Sequence, residues 1–256
     1  SFVGSSFDLP LVTSDSTAIG ATRILDAIKT VSRKTKFYQA SSSEMFGKVA
    51  ETPQNEKTVF HPRSPYAVSK VYAHMMTVNY REAYNLHCSS GILFNHESPL
   101  RGENFVTKKI TLALSKIALG LQDFLEIGNL DAKRDWGYAG DYVEAMYLML
   151  QQKKPDDYVV ATGKTNSVRT FIEKACNLLD IKIVWKNKGA KEIGVNKKNN
   201  KIIVKVNPKF YRPAEVELLL GDPRKAKKIL SWKPNHNFQQ LIEIMLKSDL
   251  ENIKKN

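Results

Sequence analysis

The 256 residues are 42% hydrophobic and 25% charged, a mixture that builds a folded core and excludes intrinsic disorder and collagen-like order. No apolar run reaches the roughly 18 residues of a membrane helix, and the N-terminal region lacks the basic, apolar and small-residue parts of a secretory signal, so a cytoplasmic protein away from membranes is expected. The net charge of +13 is uneven, because residues 181–256 hold 18 Lys and Arg against 7 Asp and Glu, which leaves the rest nearly balanced.

The chain begins with Ser1 and no preceding strand, and reads as the continuation of a longer protein. Apolar residues at helical spacing over Asp15–Ile28 predict a helix, followed by a strand at Lys36–Gln39. A second helix is expected over 66–84 and a buried strand over His87–Phe94. Helix then alternates with strand through Thr107–Leu119, Phe124–Ile127, Asp141–Gln151 and Tyr158–Ala161. That rhythm is the mark of a doubly wound α/β fold, with a parallel sheet covered on both faces. Beyond it, Ser167 can cap a helix to Leu179, and a strand at Lys182–Trp185 leads into the Lys/Asn/Gly-rich stretch 186–200, expected to be a loop. A strand at Lys201–Val206, a helix start at Asp222-Pro223 and a last helix from about Asn237 suggest a smaller C-terminal lobe.

The basic runs, Lys197-Lys198 and Lys225 to Lys228, carry no interleaved aromatics, so they read as a solvated face and no nucleic-acid partner is expected. Positive potential also suits a phosphorylated or nucleotide-linked substrate. Cys88 and Cys176 lack the spacing of a zinc site or a disulfide framework, which points to packing roles in a reducing compartment without a metal.

The strongest local signal is Tyr66-Ala67-Val68-Ser69-Lys70. Four residues apart on a helix, the phenol and the ammonium share one face about 6 Å apart. A lysine that close lowers a phenol pKa by about one to three units, making the tyrosine a base near neutrality. A second signal is Ser41-Ser42-Ser43-Glu44, entered directly from a strand. Ligands bind at the carboxyl ends of parallel strands, and residues 42 and 44 alternate onto one side if the extended geometry continues.

Together these segments resemble the extended short-chain dehydrogenase/reductases that act on nucleotide sugars. The likeness narrows at Gly91–Pro99 with Arg101-Gly102, at Phe105-Val106-Thr107, at Asn129–Gly137 and at Tyr211–Val216, strings that are similar to those of the GDP-mannose 4,6-dehydratases and occur in that family's order over nearly the whole chain. The resemblance implies a Rossmann-type NADP-binding domain in residues 1–162, with substrate-lobe segments interleaved around 95–140, and a mainly substrate-binding lobe in 163–256. It implies catalytic roles for Ser42 (hydrogen bond to the hexose 4-hydroxyl), Glu44 (acid/base), Tyr66 (proton removal) and Lys70 (nicotinamide ribose and phenolate). Cofactor contacts are implied for Ser1, Lys70, His96 and Arg101, and GDP-mannose contacts for Asn95, Val106, Lys109, Arg134, Arg212 and Glu215. The implied reaction oxidises C4, removes water across C5 and C6, and returns the hydride to C6.

The resemblance also implies a homodimer or homotetramer built on helices 15–28 and 66–84. Two departures stand out. The glycine-rich strand-turn-helix that receives a dinucleotide pyrophosphate is absent, and Phe2 and Val12 stand where the family commonly has His and Tyr. The chain alone is therefore expected to be poorly soluble and inactive, its sheet edge unpaired. Other readings open to the sequence are another nucleotide sugar's 4,6-dehydratase, a 4-epimerase, or a non-catalytic fragment. Glu44 speaks against the epimerase, which abstracts no C5 proton.

Overall fold

The computed structural model describes residues 3–211 and 218–255. The chain divides into two compact units: Ser1–His96 with Asp135–Thr165 and Val216–Asn235, and Glu97–Arg134 with Asn166–Glu215 and His236–Asn256. The chain thus passes between the units several times, and 216–235 joins the first unit. The reason is packing, since Ala226, Leu230 and Trp232 bury themselves against Tyr142, Met149 and Tyr158.

The first unit carries a parallel sheet in which Cys88–Leu93 lies between Phe37–Ser42 and Asp157–Val160. All six residues of the central strand are buried, as expected when a parallel strand is covered on both faces. Side chains alternate across it. Leu93, Tyr158 and Val160 pack with Tyr142, Ala145 and Met149 of the helix Ala139–Gln151, whereas Ile92 and Val159 pack with Met45, Phe46 and Phe94. The long helix Pro65–Tyr84 lies against the strands 37–42 and 88–93. Its start is set by Ser64, whose Oγ accepts a hydrogen bond from Ala67 N at 3.1 Å, with Pro65 in the first turn; its end is set by Asn85 at φ 52°.

The region before the sheet is more helical than its sequence suggested. Helix Gly20–Val31 is preceded by the helix Pro10–Ser14 and a wide π-type turn at Asp15–Ile19, so helical backbone begins upstream of Asp15. Pro10 in the first turn was the start signal. Both helices and the turn pack against helix 65–84.

In the second unit the strands run in the order Leu125–Ile127, Ile202–Val206, Ile193–Asn196, Ile183–Lys186, the first pair parallel and the others antiparallel. The expected loop over 186–200 is corrected here: it holds a 3-10 turn at Gly189–Lys191 and the strand Ile193–Asn196. Only Lys197–Asn200 form the bend, where the Asn196 Oδ1 accepts from Lys198 N at 3.0 Å and Asn200 takes φ 57°. Gly194 and Val195 are buried between exposed lysines, so the polar composition hid a short strand. Helices Val106–Ala118, Val168–Leu178 and Phe238–Lys255 pack on one another, the middle one capped by Ser167 Oγ accepting from Thr170 N at 3.0 Å. In the first unit the helix Arg224–Ile229 starts one residue later than Asp222-Pro223 suggested; Asp222 Oδ1 accepts from Arg224 N at 3.1 Å from just outside it. Among the described residues no helix is long and apolar enough to cross a membrane, and no His/Cys/Asp/Glu cluster could hold a metal.

Candidate active site

Strand 37–42 ends in Ser41 and Ser42, which take two different directions. Ser41 is buried, and its Oγ lies 2.9 Å from His74 Nδ1 on helix 65–84. Ser42 is half-buried on the opposite side, its backbone still extended at φ −145°, and its Oγ accepts a hydrogen bond from Glu44 N at 3.2 Å. That bond bends the chain into the 3-10 turn Ser43–Met45, leaving Glu44 half-buried while Ser43 and Met45 point inward. The turn is tied to the approach to helix 65–84, because His61 N donates to Met45 O at 3.1 Å and Lys48 N to His61 O at 3.0 Å. Only glycine allows this closeness at position 47, where φ is +52° and a Cβ would fall 1.9 Å from the His61 carbonyl oxygen.

Tyr66 and Lys70 follow on the first turns of that helix, both half-buried. Lys70 Nζ sits 5.7 Å from the Tyr66 ring centroid and donates to Ala40 O at 2.8 Å, two residues before Ser42. Burial pushes the Lys70 pKa below its ordinary value, and no carboxylate pairs with it among the described residues. Ser42, Glu44, Tyr66 and Lys70 are thus gathered at the carboxyl end of strand 37–42, where the fold places ligands.

The neighbouring strand 88–93 runs on into Asn95 and His96. Asn95 is half-buried, with its Oδ1 out of water and without a hydrogen-bond partner among the described residues. His96 stacks on Tyr142 at 5.1 Å, and its Nδ1 lies 2.9 Å from Phe94 O. A carbonyl only accepts, so Nδ1 carries a proton there.

In the second unit, Arg101, Val106 and Lys109 surround the start of helix 106–118. Arg101 Nε is 3.0 Å from Glu97 Oε2, and its guanidinium lies 3.4 Å from the Phe105 ring centroid. Lys109 Nζ lies 3.4 Å from the Phe210 ring centroid, and burial lowers its pKa. Arg134 is 6% exposed on a short strand paired with Asn166-Ser167, its Nη1 donating to Lys133 O at 2.8 Å. The next residue, Asp135, is fully buried and accepts from Thr162 N, Thr162 Oγ1 and Gly163 N at 2.8, 2.6 and 2.9 Å. Ser1, Arg212 and Glu215 lie outside the described residues.

Sequence reasoning missed two partners. The Ser41–His74 contact was invisible because it joins residues of a strand and a helix far apart in the chain. Glu97 had a signal, its i,i+4 spacing to Arg101, but nothing in the sequence separates a buried carboxylate from a solvated one.

The sequence matches the profile of the family described as GDP-mannose 4,6 dehydratase over residues 1–245. It is 54% identical to the GDP-mannose 4,6 dehydratase of Drosophila melanogaster over 100% of this chain and 65% of that protein, and 52% identical to that of Homo sapiens over 100% and 69%. The chain belongs to the GDP-mannose 4,6 dehydratase family. It spans about two thirds of the length of these relatives. In fold it is similar to RMD from Pseudomonas aeruginosa, solved with NADPH (TM-score 0.83, 23% identity, 98% of this chain and 78% of that one). It is also similar to a UDP-N-acetylglucosamine 4-epimerase from Methanobrevibacter ruminantium (TM-score 0.79, 21% identity, 98% and 74%). Those two likenesses concern the fold alone; family membership rests on the more similar relatives.

Proposed function

We propose that this chain carries the catalytic groups of a GDP-mannose 4,6-dehydratase, converting GDP-mannose to GDP-4-keto-6-deoxymannose with NADP. The observation that carries the reading is the grouping of Ser42, Glu44, Tyr66 and Lys70 at one strand end, in a family whose relatives bear this activity in their names.

The residues fit the cofactor. Lys70 spends one of its three N–H donors on Ala40, which leaves others for ribose hydroxyls, and among the described residues the buried Asn95 Oδ1 lacks a partner beside His96 at the next strand end. Lys70, His96 and Arg101, with Ser1 from the sequence, would hold NADP. When bound, NADP supplies a store for hydride between the first and last steps.

The chain's own groups handle the protons. Water cannot leave from C5 and C6 of an unactivated sugar, so the 4-hydroxyl must become a ketone first. Ser42 holds that hydroxyl, and Tyr66 removes its proton, the Lys70 ammonium favouring the phenolate charge. The ketone acidifies the C5 proton. Glu44 takes this proton and delivers it to the departing C6 hydroxyl, and Tyr66 returns a proton as C5 and C6 are resaturated. GDP-mannose would be held through Asn95, Val106, Lys109, Arg134, Arg212 and Glu215.

For assembly, the reading is a homodimer or homotetramer. Val68, Tyr72 and Met75 form an exposed stripe on helix 65–84, and Ile24 and Val31 are exposed on helix 20–31. Two buried free thiols agree with a reducing cytoplasm, the Cys88 pKa pushed by burial to about 11.

The test uses two variants of the intact gene product. Tyr66→Phe is expected to abolish both cofactor reduction and product, with kcat down at least about 10³-fold. Glu44→Gln is expected to reduce NADP in a single turnover, seen at 340 nm, while releasing no 6-deoxy product. Full product formation by Glu44→Gln would contradict the assignment of the C5 proton to that carboxylate.

A further inference from the structure

Glu97 is one of the most completely buried carboxylates of the second unit, 2% exposed, and two groups hold it. Thr107 Oγ1 donates to Oε2 at 2.6 Å from the first turn of helix 106–118, and Arg101 Nε lies 3.0 Å from the same oxygen. Burial raises the Glu97 pKa, while the Arg101 charge and the Thr107 hydrogen bond oppose the rise.

The arrangement at Arg101 is more telling. Its side chain is 22% exposed, its Nε lies 3.0 Å from Glu97 Oε2 as an ion pair without a well-directed hydrogen bond among the described residues, and its flat face lies on the Phe105 ring. The two terminal Nη groups make no hydrogen bond among the described residues. An arginine that only neutralised Glu97 would do so best with two parallel N–H bonds from Nη and Nε. Here the carboxylate sits beside the Nε edge as a counter-charge and the aromatic ring covers one face, which holds the guanidinium plane against Phe105 and leaves its outer fork open for an anion. The same carboxylate oxygen also fixes Thr107, the neighbour of Val106.

We propose that Glu97 is a positioning residue that sets the Arg101 fork for the ligand phosphates and locks it to the first turn of helix 106–118. This rests on the reading of Arg101 as a ligand-binding residue given above. Glu97 touches no ligand itself; it acts through Arg101.

The experiment is a double-mutant cycle on the intact gene product, with dissociation constants of NADP and of GDP-mannose measured by titration calorimetry on protein shown folded by thermal melting. Arg101→Ala is expected to weaken NADP at least tenfold. Glu97→Gln, nearly isosteric, is expected to weaken it about fivefold, and the double variant to bind no worse than Arg101→Ala alone, because the carboxylate acts only through the arginine. Arg101→Lys is expected to bind nearly as poorly as Arg101→Ala, its single ammonium being held by Glu97; this variant keeps the test alive if Glu97→Gln does not fold. Should Arg101→Ala weaken a ligand while Glu97→Gln leaves both constants at wild-type values, the positioning role falls and the reading of Arg101 stands. Additive losses in the double variant, or wild-type NADP affinity in Arg101→Lys, would equally overturn it. If Arg101→Ala leaves both ligands unaffected, the ligand-binding reading falls and takes the proposal with it.

Discussion

Lys70 of helix 65–84 and Lys108 of helix 106–118 are both withdrawn from water near the start of a long helix, and the structure treats their charges in opposite ways. Lys108, 8% exposed, is hydrogen-bonded to Asp249 and donates to Pro99 O at 3.0 Å, while Thr111 Oγ1 holds the other carboxylate oxygen at 2.7 Å. Every polar atom there is matched, and the group ties helix 106–118 to helix 238–255. Among the described residues Lys70 has one carbonyl and no carboxylate, and burial lowers its pKa. An ammonium that is neutralised within the fold is part of its framework, whereas one that remains unneutralised beside a phenol can act on a ligand.

The largest expected effect separates the two by stability. Lys108→Met leaves the Asp249 carboxylate buried without its cation, so it should cost about 3–5 kcal/mol, read from urea unfolding midpoints. Lys70→Met should change stability by less than about 1 kcal/mol, since it removes an uncompensated charge, yet lower kcat by roughly 10²–10³-fold. The reverse pattern, a stability loss at Lys70 and a purely kinetic loss at Lys108, would break the comparison.

A smaller effect concerns the other side of the same strand tip. His74 is buried against Phe60 with Ser41 at Nδ1, Asp157 4.0 Å from Nε2 and Arg81 paired with that aspartate. Burial holds its pKa below 6.5, the Asp157 charge opposing and Arg81 reinforcing the shift. A depressed pKa in the fold means the unfolded chain takes up the proton first as pH falls. The stability this histidine contributes is therefore complete above about pH 6.5 and is lost as pH drops through the folded value. The wild-type urea midpoint should fall between about pH 7 and pH 5, and His74→Gln should flatten that fall.

The same neighbourhood explains how far the sequence could be read. Tyr66 and Lys70 were legible because helix geometry alone puts residues four apart on one face, and strand 88–93 because its run of small and apolar residues has few other homes. Ser42 and Glu44 were legible only in part. Alternation would put them on one side only if the strand continued, and the chain instead turns at Ser43–Met45; that turn and the bond from Glu44 N to Ser42 Oγ depend on the approach of His61 across Gly47. The strand 193–196 hid behind lysines whose side chains lie in solvent, and the mixed membership of residues 216–235 depended on Trp232 finding Tyr142. Patterns with a short period showed through, and contacts between distant segments did not.

In the proposed reaction one hydrogen travels from C4 to C6 while Tyr66 and Glu44 move protons. GDP-mannose deuterated at C4, turned over by the intact gene product in ordinary water with catalytic NADP, tests it most directly. The expected product is GDP-4-keto-6-deoxymannose with the deuterium in its new methyl group and a solvent hydrogen at C5, read by mass spectrometry and proton NMR. Deuterium lost to the solvent, or a product still deuterated at C4, would contradict it.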